Sequence, residues 1–143
     1  MEDKVSLLER TFAFKAEFYD VDSMNVVWHG NYVRYLEFGR CRFLDEAQFN
    51  YLAMKEAGFA LPIVKLHIKY TKPIFFNDEC QIKVILKDFE GFLKFDYEIF
   101  AHKEKVCKAS TAQMAVNLQG QSLYELPQCF INALQNFITK EKQ

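Results

Sequence analysis

The chain has 143 residues, half of them hydrophobic, and 15 of them are phenylalanines. This length fits one domain that buries roughly two-thirds of its unfolded surface, so we expect a single domain over residues 1–143. The 18 basic and 19 acidic residues nearly cancel, and the absence of a basic field argues against nucleic-acid binding.

The first predicted element is a strand over residues 11–19. Alternate residues of this segment are apolar: Phe12, Phe14, Ala16 and Phe18. Lys15 and Glu17 occupy the other parity, and this alternation is typical of a half-buried strand.

A polar loop follows, over residues 21–30, at the end of this strand. Two carboxylates, an amide and an imidazole lie in it or just before it: Asp20, Asp22, Asn25 and His29. The loop also contains Val26, Val27 and Trp28, which predict that part of it folds back and is buried.

A long helix is predicted from Asn31 onward. Apolar residues recur every three or four positions: Tyr32, Leu36, Gly39, Phe43 and Ala47. Charged residues fill much of the opposite face: Arg34, Glu37, Arg40 and Asp45. Gly58 is well placed as the residue that ends the helix, so we expect one helix of roughly 25 residues.

The chain after Gly58 predicts four more strands and a terminal helix. The strand segments are 61–75, 79–87, 92–102 and 105–118, and turns are expected at Asn77 and Asp78, Glu90 and Gly91, and Lys103 and Glu104. An amphipathic helix is expected over about residues 127–139. The order β-α-β-β-β-β with a terminal helix predicts an α+β domain, in which a five-stranded, mostly antiparallel sheet wraps one long central helix.

Export and membrane insertion are not predicted. The first ten residues, MEDKVSLLER, lack the apolar core of a signal peptide, and no run approaches the ~20 apolar residues of a membrane span. The cysteines are scattered without a CxxC pair, which favours reduced structural thiols over a zinc site: Cys41, Cys80, Cys107 and Cys129. We therefore expect a soluble cytoplasmic protein.

The loop and the order of elements resemble a known family. The string YDVDSMNVVWHGNY, residues 19–32, resembles the signature of hotdog-fold acyl-CoA thioesterases of the 4-hydroxybenzoyl-CoA type, which include the branch associated with the Tol–Pal system. Other positions that fit the family pattern are Tyr35, Leu36, Glu37, Arg40, Tyr70, Pro73 and Asp78. Asn25 departs from the Gly usual in the family, and Asn tolerates the left-handed conformation that Gly would allow.

The resemblance implies a catalytic role for Asp22, which matches the family's catalytic aspartate. This carboxylate would attack the thioester carbonyl or deprotonate a water. The oxyanion donors would be free N–H groups at the helix start, around His29 and Gly30. The His29 side chain would orient water or assist proton transfer. By residue type alone, an Asp before a helix is more often a cap or turn residue, so the resemblance carries this prediction.

Three further residues are expected to support the loop. We predict that Asp20 is structural and bonds loop amides, that Asn25 shapes the turn, and that Asn31 is the helix N-cap rather than a substrate contact.

The remaining polar and aromatic residues have simpler interpretations. Glu37 is expected to pair with Arg40, three residues on. Lys65 and Lys69 flank His67 on a solvated strand face and could instead contact the phosphates of coenzyme A. Large apolar residues on the helix are first of all core residues, with an acyl tunnel as the alternative: Phe38, Phe43 and Met54.

The resemblance also implies an assembly and a substrate class. It implies a homodimer whose sheets join edge to edge, often paired into a tetramer, with active sites at the subunit interface. It implies no metal and no redox cofactor, because coenzyme A, or an acyl carrier protein, takes part only as the carrier in the substrate. Two other classes stay open: a hydroxyacyl-thioester dehydratase using His29 with Glu37 or Asp45, and a non-catalytic acyl-thioester binding module.

Overall fold

The computed structural model describes residues 5–142, which form three helices, seven strands and one short 3-10 turn. The helices are α1 Asn31–Glu46, α2 Tyr51–Glu56 and α3 Gln128–Glu141. The strands are β1 Leu8–Lys15, β2 Phe59–Ala60, β3 Ile63–Tyr70, β4 Glu79–Asp88, β5 Leu93–Ala101, β6 Glu104–Gln113 and β7 Val116–Asn117. No helix in this part of the chain is long and apolar enough to cross a membrane.

Five strands form one antiparallel sheet in the order β1-β4-β5-β6-β3. β2 and β7 form a separate two-stranded pair. In β4 and β5 every second side chain is buried, as the alternation predicts: Cys80, Ile82, Val84, Leu86, Leu93, Phe95, Tyr97 and Ile99. The predicted α+β architecture, with a central helix, a five-stranded sheet and a C-terminal helix, is confirmed.

The central helix α1 packs its apolar face against the middle of the sheet. Gly39 permits this close approach, because a Cβ at this position would lie 2.8 Å from Val84 Cγ2 and 3.1 Å from Ile82 Cδ1. These distances are shorter than ordinary carbon–carbon contacts. The helix therefore rests on β4 at a distance that only glycine allows.

The prediction of one helix of about 25 residues is wrong. α1 ends at Glu46, and α2 begins at Tyr51 after a turn in which Gln48 has a φ of 60°. The side chain of Asn50 caps α2 by accepting a hydrogen bond from the Ala53 N–H at 2.9 Å, and such a cap favours a new helix start. Gly58, with a φ of 92°, ends α2 as predicted.

The first strand also differs from its prediction. β1 spans Leu8–Lys15 instead of residues 11–19, because the chain enters a 3-10 turn at Phe18–Asp20. Phe18 is consequently 77% exposed, although its parity predicted burial. Phe12 and Ala16 are buried as expected.

Two predicted strands end earlier than the sequence indicated. Residues 61–75 contribute only Ile63–Tyr70 to the sheet, as β3. Residues 105–118 are divided between β6 and the short β7. The turn before β6 lies at His102 and Lys103, both with positive φ, one residue before its predicted position.

The strand β3 lies at an edge of the sheet, where β6 is its only neighbour among the described strands. Val64, Leu66 and Tyr70 are 49%, 44% and 46% exposed, so the predicted apolar parity of this strand is not buried within the chain. An exposed apolar edge strand is a template for pairing with another strand.

The four cysteines are free thiols. Cys80 and Cys107 are buried, and burial raises the pKa of each thiol to about 12, so both stay protonated at neutral pH. Cys41 and Cys129 are exposed. Within residues 5–142, no group of three or more His, Cys, Asp or Glu side chains is arranged to hold a metal ion.

Candidate active site

The loop between β1 and α1 is a short hairpin that carries Asp22. The Asp22 N–H donates to the Val26 carbonyl at 2.8 Å, and the Asn25 N–H donates to the Asp22 carbonyl at 3.0 Å. Asn25 has a φ of 65°, which confirms the left-handed conformation predicted for it. The Phe76 N–H donates to the Asn25 carbonyl at 3.1 Å, so the loop is also tied to the segment before β4.

Asp20 is a buried carboxylate, 2% exposed, with three partners. It accepts hydrogen bonds from the Glu17 N–H at 2.9 Å and the Tyr35 hydroxyl at 3.0 Å, and it pairs with the Arg34 guanidinium. Burial is the main cause that raises the pKa of Tyr35 well above its usual range, and the hydrogen bond to Asp20 raises it further. The Tyr35 hydroxyl is therefore a permanent donor, and these contacts are those of a structural residue.

The backbone carbonyl of Asp20 joins the loop to the helix start. It accepts hydrogen bonds from the Trp28 N–H at 3.0 Å and from Asn31 Nδ2 at 2.7 Å. Asn31 is not the N-cap that the sequence predicted, because it is already the first residue of α1. Gly30 holds the N-cap position.

Trp28 is exposed, in contrast to its buried neighbour Val27. Val27 is 4% exposed, as the fold-back prediction requires, but Trp28 is 54% exposed. The indole ring lies directly over Gly30, where a Cβ would overlap it. Gly30 thus lets the indole cover the start of α1.

The Asp22 side chain is exposed, and only one of its oxygens is engaged. Its Oδ1 accepts hydrogen bonds from the Met24 N–H at 2.8 Å and the Val26 N–H at 3.3 Å. No group among residues 5–142 donates to Oδ2. The loop therefore holds the carboxylate by one oxygen and leaves the other available to a water or a substrate.

Two backbone donors at the helix start have no acceptor. The N–H groups of Trp28, Asn31 and Tyr32 donate to carbonyl oxygens, whereas no acceptor within the described part of the chain pairs with the N–H of His29 or Gly30. Unpaired N–H groups at a helix N-terminus favour negative charge, aided by the helix dipole. They can bind an oxygen on which negative charge develops.

The His29 ring lies at an open cleft beside this helix start. Its centroid is 5.0 Å from that of Trp28 and 6.4 Å from that of Tyr70. The cleft has a volume of about 340 Å³ and is lined by Val26, Val27, His29, Tyr32, Tyr70, Thr71, Lys72 and Pro73. Burial raises the pKa of Tyr32 to about 12, so the Tyr32 hydroxyl stays protonated at neutral pH.

The lysines of β3 do not line this cleft. Lys65 and Lys69 are exposed and share the outer face of β3 with His67, whereas Leu66 and Tyr70 have the opposite parity. Lys72, which the sequence analysis missed, does line it, and its ammonium pairs with Glu104. The sequence offered no signal for it, because Lys72 lies inside the predicted strand over residues 61–75.

Glu37 pairs with Arg40 as predicted, with 3.8 Å between Glu37 Oε1 and Arg40 Nη2. Arg40 is not on a solvent-facing side of the helix, however, because it is only 4% exposed. It donates to the Tyr51 hydroxyl at 2.7 Å and the Tyr97 hydroxyl at 3.2 Å. These acceptors make burial of the guanidinium possible, and Tyr51 lies on α2, beyond the unpredicted break.

The helix carboxylates are remote from His29. α1 begins at Asn31, so at the rise of an α-helix Glu37 lies about 9 Å and Asp45 about 21 Å along the axis from the helix start beside His29. A dehydratase needs its histidine and carboxylate at one reacting centre. The geometry therefore disfavours the two pairs that the sequence offered for that reaction.

The large apolar residues proposed as core or acyl tunnel lie in the core or pack against it. Phe43 is fully buried, and its ring centroid is 5.1 Å from that of Phe95 and 5.4 Å from that of Phe137. Met54 is 1% exposed. Phe38 is partly buried.

Comparisons of the sequence identify relatives. A sequence profile of the thioesterase-like superfamily matches residues 16–134. A protein of Aquifex aeolicus (strain VF5) named an esterase is 31% identical over 103 residues, covering 71% of this chain and 80% of the relative. YneP of Bacillus subtilis (strain 168), named an acyl-CoA thioesterase, is 28% identical over 100 residues, covering 68% of this chain and 72% of the relative.

A solved structure has the same fold. The DHNA-CoA thioesterase from Staphylococcus aureus matches with a TM-score of 0.82 at 23% identity, covering 94% of this chain and 91% of that chain. This likeness confirms the predicted hotdog arrangement of sheet and helix.

Proposed function

This chain belongs to the thioesterase-like superfamily and is a thioester hydrolase, and we propose that it hydrolyses acyl-CoA with Asp22 as the catalytic carboxylate. One observation carries this proposal. A carboxylate with one free oxygen and two unpaired helix-start N–H groups belong to a single hydrogen-bonded loop. Hydrolysis needs both a base or nucleophile and oxyanion donors.

The proposed reaction balances with water as the only co-reactant. Asp22 takes a proton from a water whose oxygen bonds to the thioester carbon, or its own oxygen bonds to that carbon and the acyl-enzyme is then hydrolysed. In either route the carbonyl oxygen becomes an oxyanion, which the N–H groups of His29 and Gly30 bind. The carbon–sulfur bond breaks, and the coenzyme A thiolate leaves and takes up a proton. The reaction therefore needs no metal or redox cofactor.

The imidazole of His29 is proposed to assist proton transfer or to orient the water. Its ring packs beside Tyr70 at the open cleft, where a substrate can reach it. Loss of one such group typically costs less than loss of the carboxylate, so His29→Gln should retain more activity than Asp22→Asn.

Substrate phosphates are proposed to bind lysines near the cleft. Lys65 and Lys69 are exposed on β3, and Lys72 lines the cleft itself. The exposed ion pair of Lys72 with Glu104 is of a kind that contributes little to stability, so a phosphate can replace the carboxylate. Raised KM in Lys72→Ala, compared with Lys65→Ala and Lys69→Ala, would show which lysine binds the substrate.

We also propose that the protein is a homodimer joined through its β3 edges, with pairing of dimers into a tetramer as the further step. The exposed apolar residues of this edge support it, because pairing would bury them and satisfy the free backbone groups. A cytoplasmic location is proposed on the free thiols and on the intracellular occurrence of acyl-CoA.

The test is thiol release from a panel of acyl-CoAs, with short, long and aromatic acyl groups, by wild type and Asp22→Asn. The asparagine can still accept the Met24 and Val26 N–H bonds, so the loop should keep its shape. We expect turnover by the wild type and a loss of about 100-fold or more in the variant. Equal turnover by both proteins would refute the role of Asp22, and no thiol release from any substrate would refute acyl-CoA hydrolysis.

A further inference from the structure

We infer that Tyr70 is a positioning residue for the hydrolysis, whose hydroxyl holds the His29 carbonyl and thereby aims the two N–H groups that bind the oxyanion. This inference rests on the proposed function. It assigns a role to a residue of the edge strand, 41 positions away from His29 in the chain.

The geometry is a hydrogen bond from the sheet to the start of the helix. The Tyr70 hydroxyl donates to the His29 carbonyl oxygen at 2.9 Å. Tyr70 is the last residue of β3, so this bond connects a strand end to the residue just before the N-cap Gly30. No other side chain of residues 5–142 donates to that oxygen.

The bound carbonyl lies between the two proposed donors along the chain. The Gly30 N–H belongs to the same trans, planar peptide as the His29 carbonyl, so the direction of one determines that of the other. The His29 N–H belongs to the preceding peptide and is separated from the carbonyl only by the dihedrals of His29 itself. A donor on the carbonyl oxygen also polarises the N–H of its peptide, because hydrogen bonds in a chain strengthen one another.

Few other bonds fix this carbonyl. The Tyr32 N–H also reaches it, at a longer distance of 3.3 Å. On the other side, the Trp28 N–H is held by Asp20 at 3.0 Å. The backbone is therefore held on both sides of the His29 N–H: the Asp20 carbonyl binds the N–H of Trp28, and the Tyr70 hydroxyl binds the carbonyl of His29.

The Tyr70 hydroxyl is suited to act as a donor. Desolvation raises the pKa of Tyr70, so the hydroxyl stays protonated through neutral and mildly alkaline pH. Its ring packs edge-on against Tyr32, with a centroid distance of 4.7 Å. Phenylalanine would keep this ring contact and remove only the hydroxyl.

The first experiment compares the steady-state kinetics of wild type and Tyr70→Phe with the best acyl-CoA. Loss of an oxyanion donor costs about 100- to 1000-fold, and a misaimed donor should cost less, so we expect kcat to fall about tenfold. KM should change by less than about twofold, because the hydroxyl is proposed to act through the backbone and not on the bound substrate. Unchanged kcat, or a raised KM with unchanged kcat, would overturn the inference.

Tyr51→Phe is the matched control. This substitution also removes a hydrogen-bonded hydroxyl, which accepts from Arg40 and Gln113. Tyr51 does not contact the loop that carries Asp22 or the cleft beside His29. Thermal unfolding of both variants measures any general loss of stability. Equal losses of kcat in the two variants would overturn the inference, since the effect would then be structural.

A spectroscopic measurement distinguishes a change in the direction of the oxyanion N–H groups from a general loss of stability. In the inactive Asp22→Asn background, the infrared carbonyl stretch of a bound acyl-CoA reports the hydrogen bonds to its oxygen. Adding Tyr70→Phe should weaken the hydrogen bonds to the thioester oxygen and shift this band towards its frequency in an aprotic solvent. An unchanged frequency would overturn the inference. If Asp22→Asn turns over acyl-CoA as fast as the wild type does, the catalytic role of Asp22 is refuted. The inference about Tyr70 is still tested in that case, because the kinetic effect of Tyr70→Phe is measured in the presence of Asp22.

Discussion

Asp20 and Asp22 lie two residues apart in one loop, yet their carboxylates have opposite surroundings. Asp20 is 2% exposed and binds three protein groups, whereas Asp22 is exposed and has one free oxygen. The difference arises because the 3-10 turn at Phe18–Asp20 directs Asp20 inward, while Asp22 is the first residue of the turn in the hairpin that follows. One aspartate therefore holds the loop and the other is available for chemistry.

Removing the Asp20 carboxylate should destabilise the protein. In Asp20→Ala the buried Tyr35 hydroxyl and the Glu17 N–H lose their acceptor, and each unsatisfied group costs about 1–3 kcal/mol. We expect the free energy of unfolding to fall by about 2–4 kcal/mol in urea titrations. Asp22→Ala is the control and should lose less than about 1 kcal/mol, because its bonds are exposed. Equal losses in the two variants would contradict the division of roles.

The contact between Gly39 and β4 should not tolerate a side chain. Gly39→Ala places a Cβ 2.8 Å from Val84 Cγ2, and overpacking of a core typically costs about 1–3 kcal/mol. Urea unfolding should show this loss even though alanine favours helix more than glycine does. In a Val84→Ala background the same substitution should cost less, because the shortest contact is gone while Ile82 Cδ1 still lies 3.1 Å from the added Cβ. A stabilising Gly39→Ala in the wild-type background would show that α1 can move away.

The β3 edge should carry the proposed dimer contact. Leu66→Glu places a charge on this edge, where pairing would bury it at a high free-energy cost. We expect sedimentation to give a dimer or tetramer for wild type and a monomer with little thiol release for Leu66→Glu. Leu52→Glu, at a leucine of α2 that is 64% exposed, should keep the wild-type assembly and activity. A monomeric wild type would rule out this assembly.

The ion pairs of Glu98 with Lys83 and Lys105 should stabilise the fold only at pH values where the Glu98 carboxyl is ionised. Desolvation alone would raise the pKa of this carboxyl, but the hydrogen bond and charge of Lys105, with the charge of Lys83, outweigh it and lower the pKa. A lowered folded pKa adds stability that is fully present above the unfolded value of about 4.3 and is lost as the pH falls through the folded value.

Glu98→Gln should therefore be less stable than wild type at pH ~7, and the difference should disappear at strongly acid pH. Unfolding by urea across the pH range measures this difference. Glu104→Gln, whose exposed carboxylate pairs with Lys72, should show a much smaller effect because exposed pairs are screened by solvent. A pH-independent difference for Glu98→Gln would exclude the electrostatic explanation.

Much of the sheet could be predicted, because burial on one face imposes a period of two on the sequence. The alternation in β4 and β5 is fully reflected in burial. The same pattern was misleading in β3, where both faces are exposed in the single chain. The proposed pairing of this edge with a second copy of the chain would explain why an edge strand has the sequence of a buried one.

The long helix was mispredicted because its apolar period continues through the break. Ala47 is buried and Tyr51 is partly buried, so periodicity alone does not reveal the turn at Gln48. The cap at Asn50 was the local signal for it. The burial of Arg40 had no such signal, since its acceptors Tyr51 and Tyr97 lie 11 and 57 positions away in the chain.

The sequence by itself determined the family, the order of the five sheet strands and the central and C-terminal helices, and the loop that carries Asp22, because these depend on residue types at short spacing. Only the tertiary structure decided which aspartate is buried, which N–H groups stay unpaired and how the His29 carbonyl is held. Those facts depend on contacts such as that between Tyr70 and His29. Distant residues meet there only after the sheet has packed against the helix, so no local pattern records the contact.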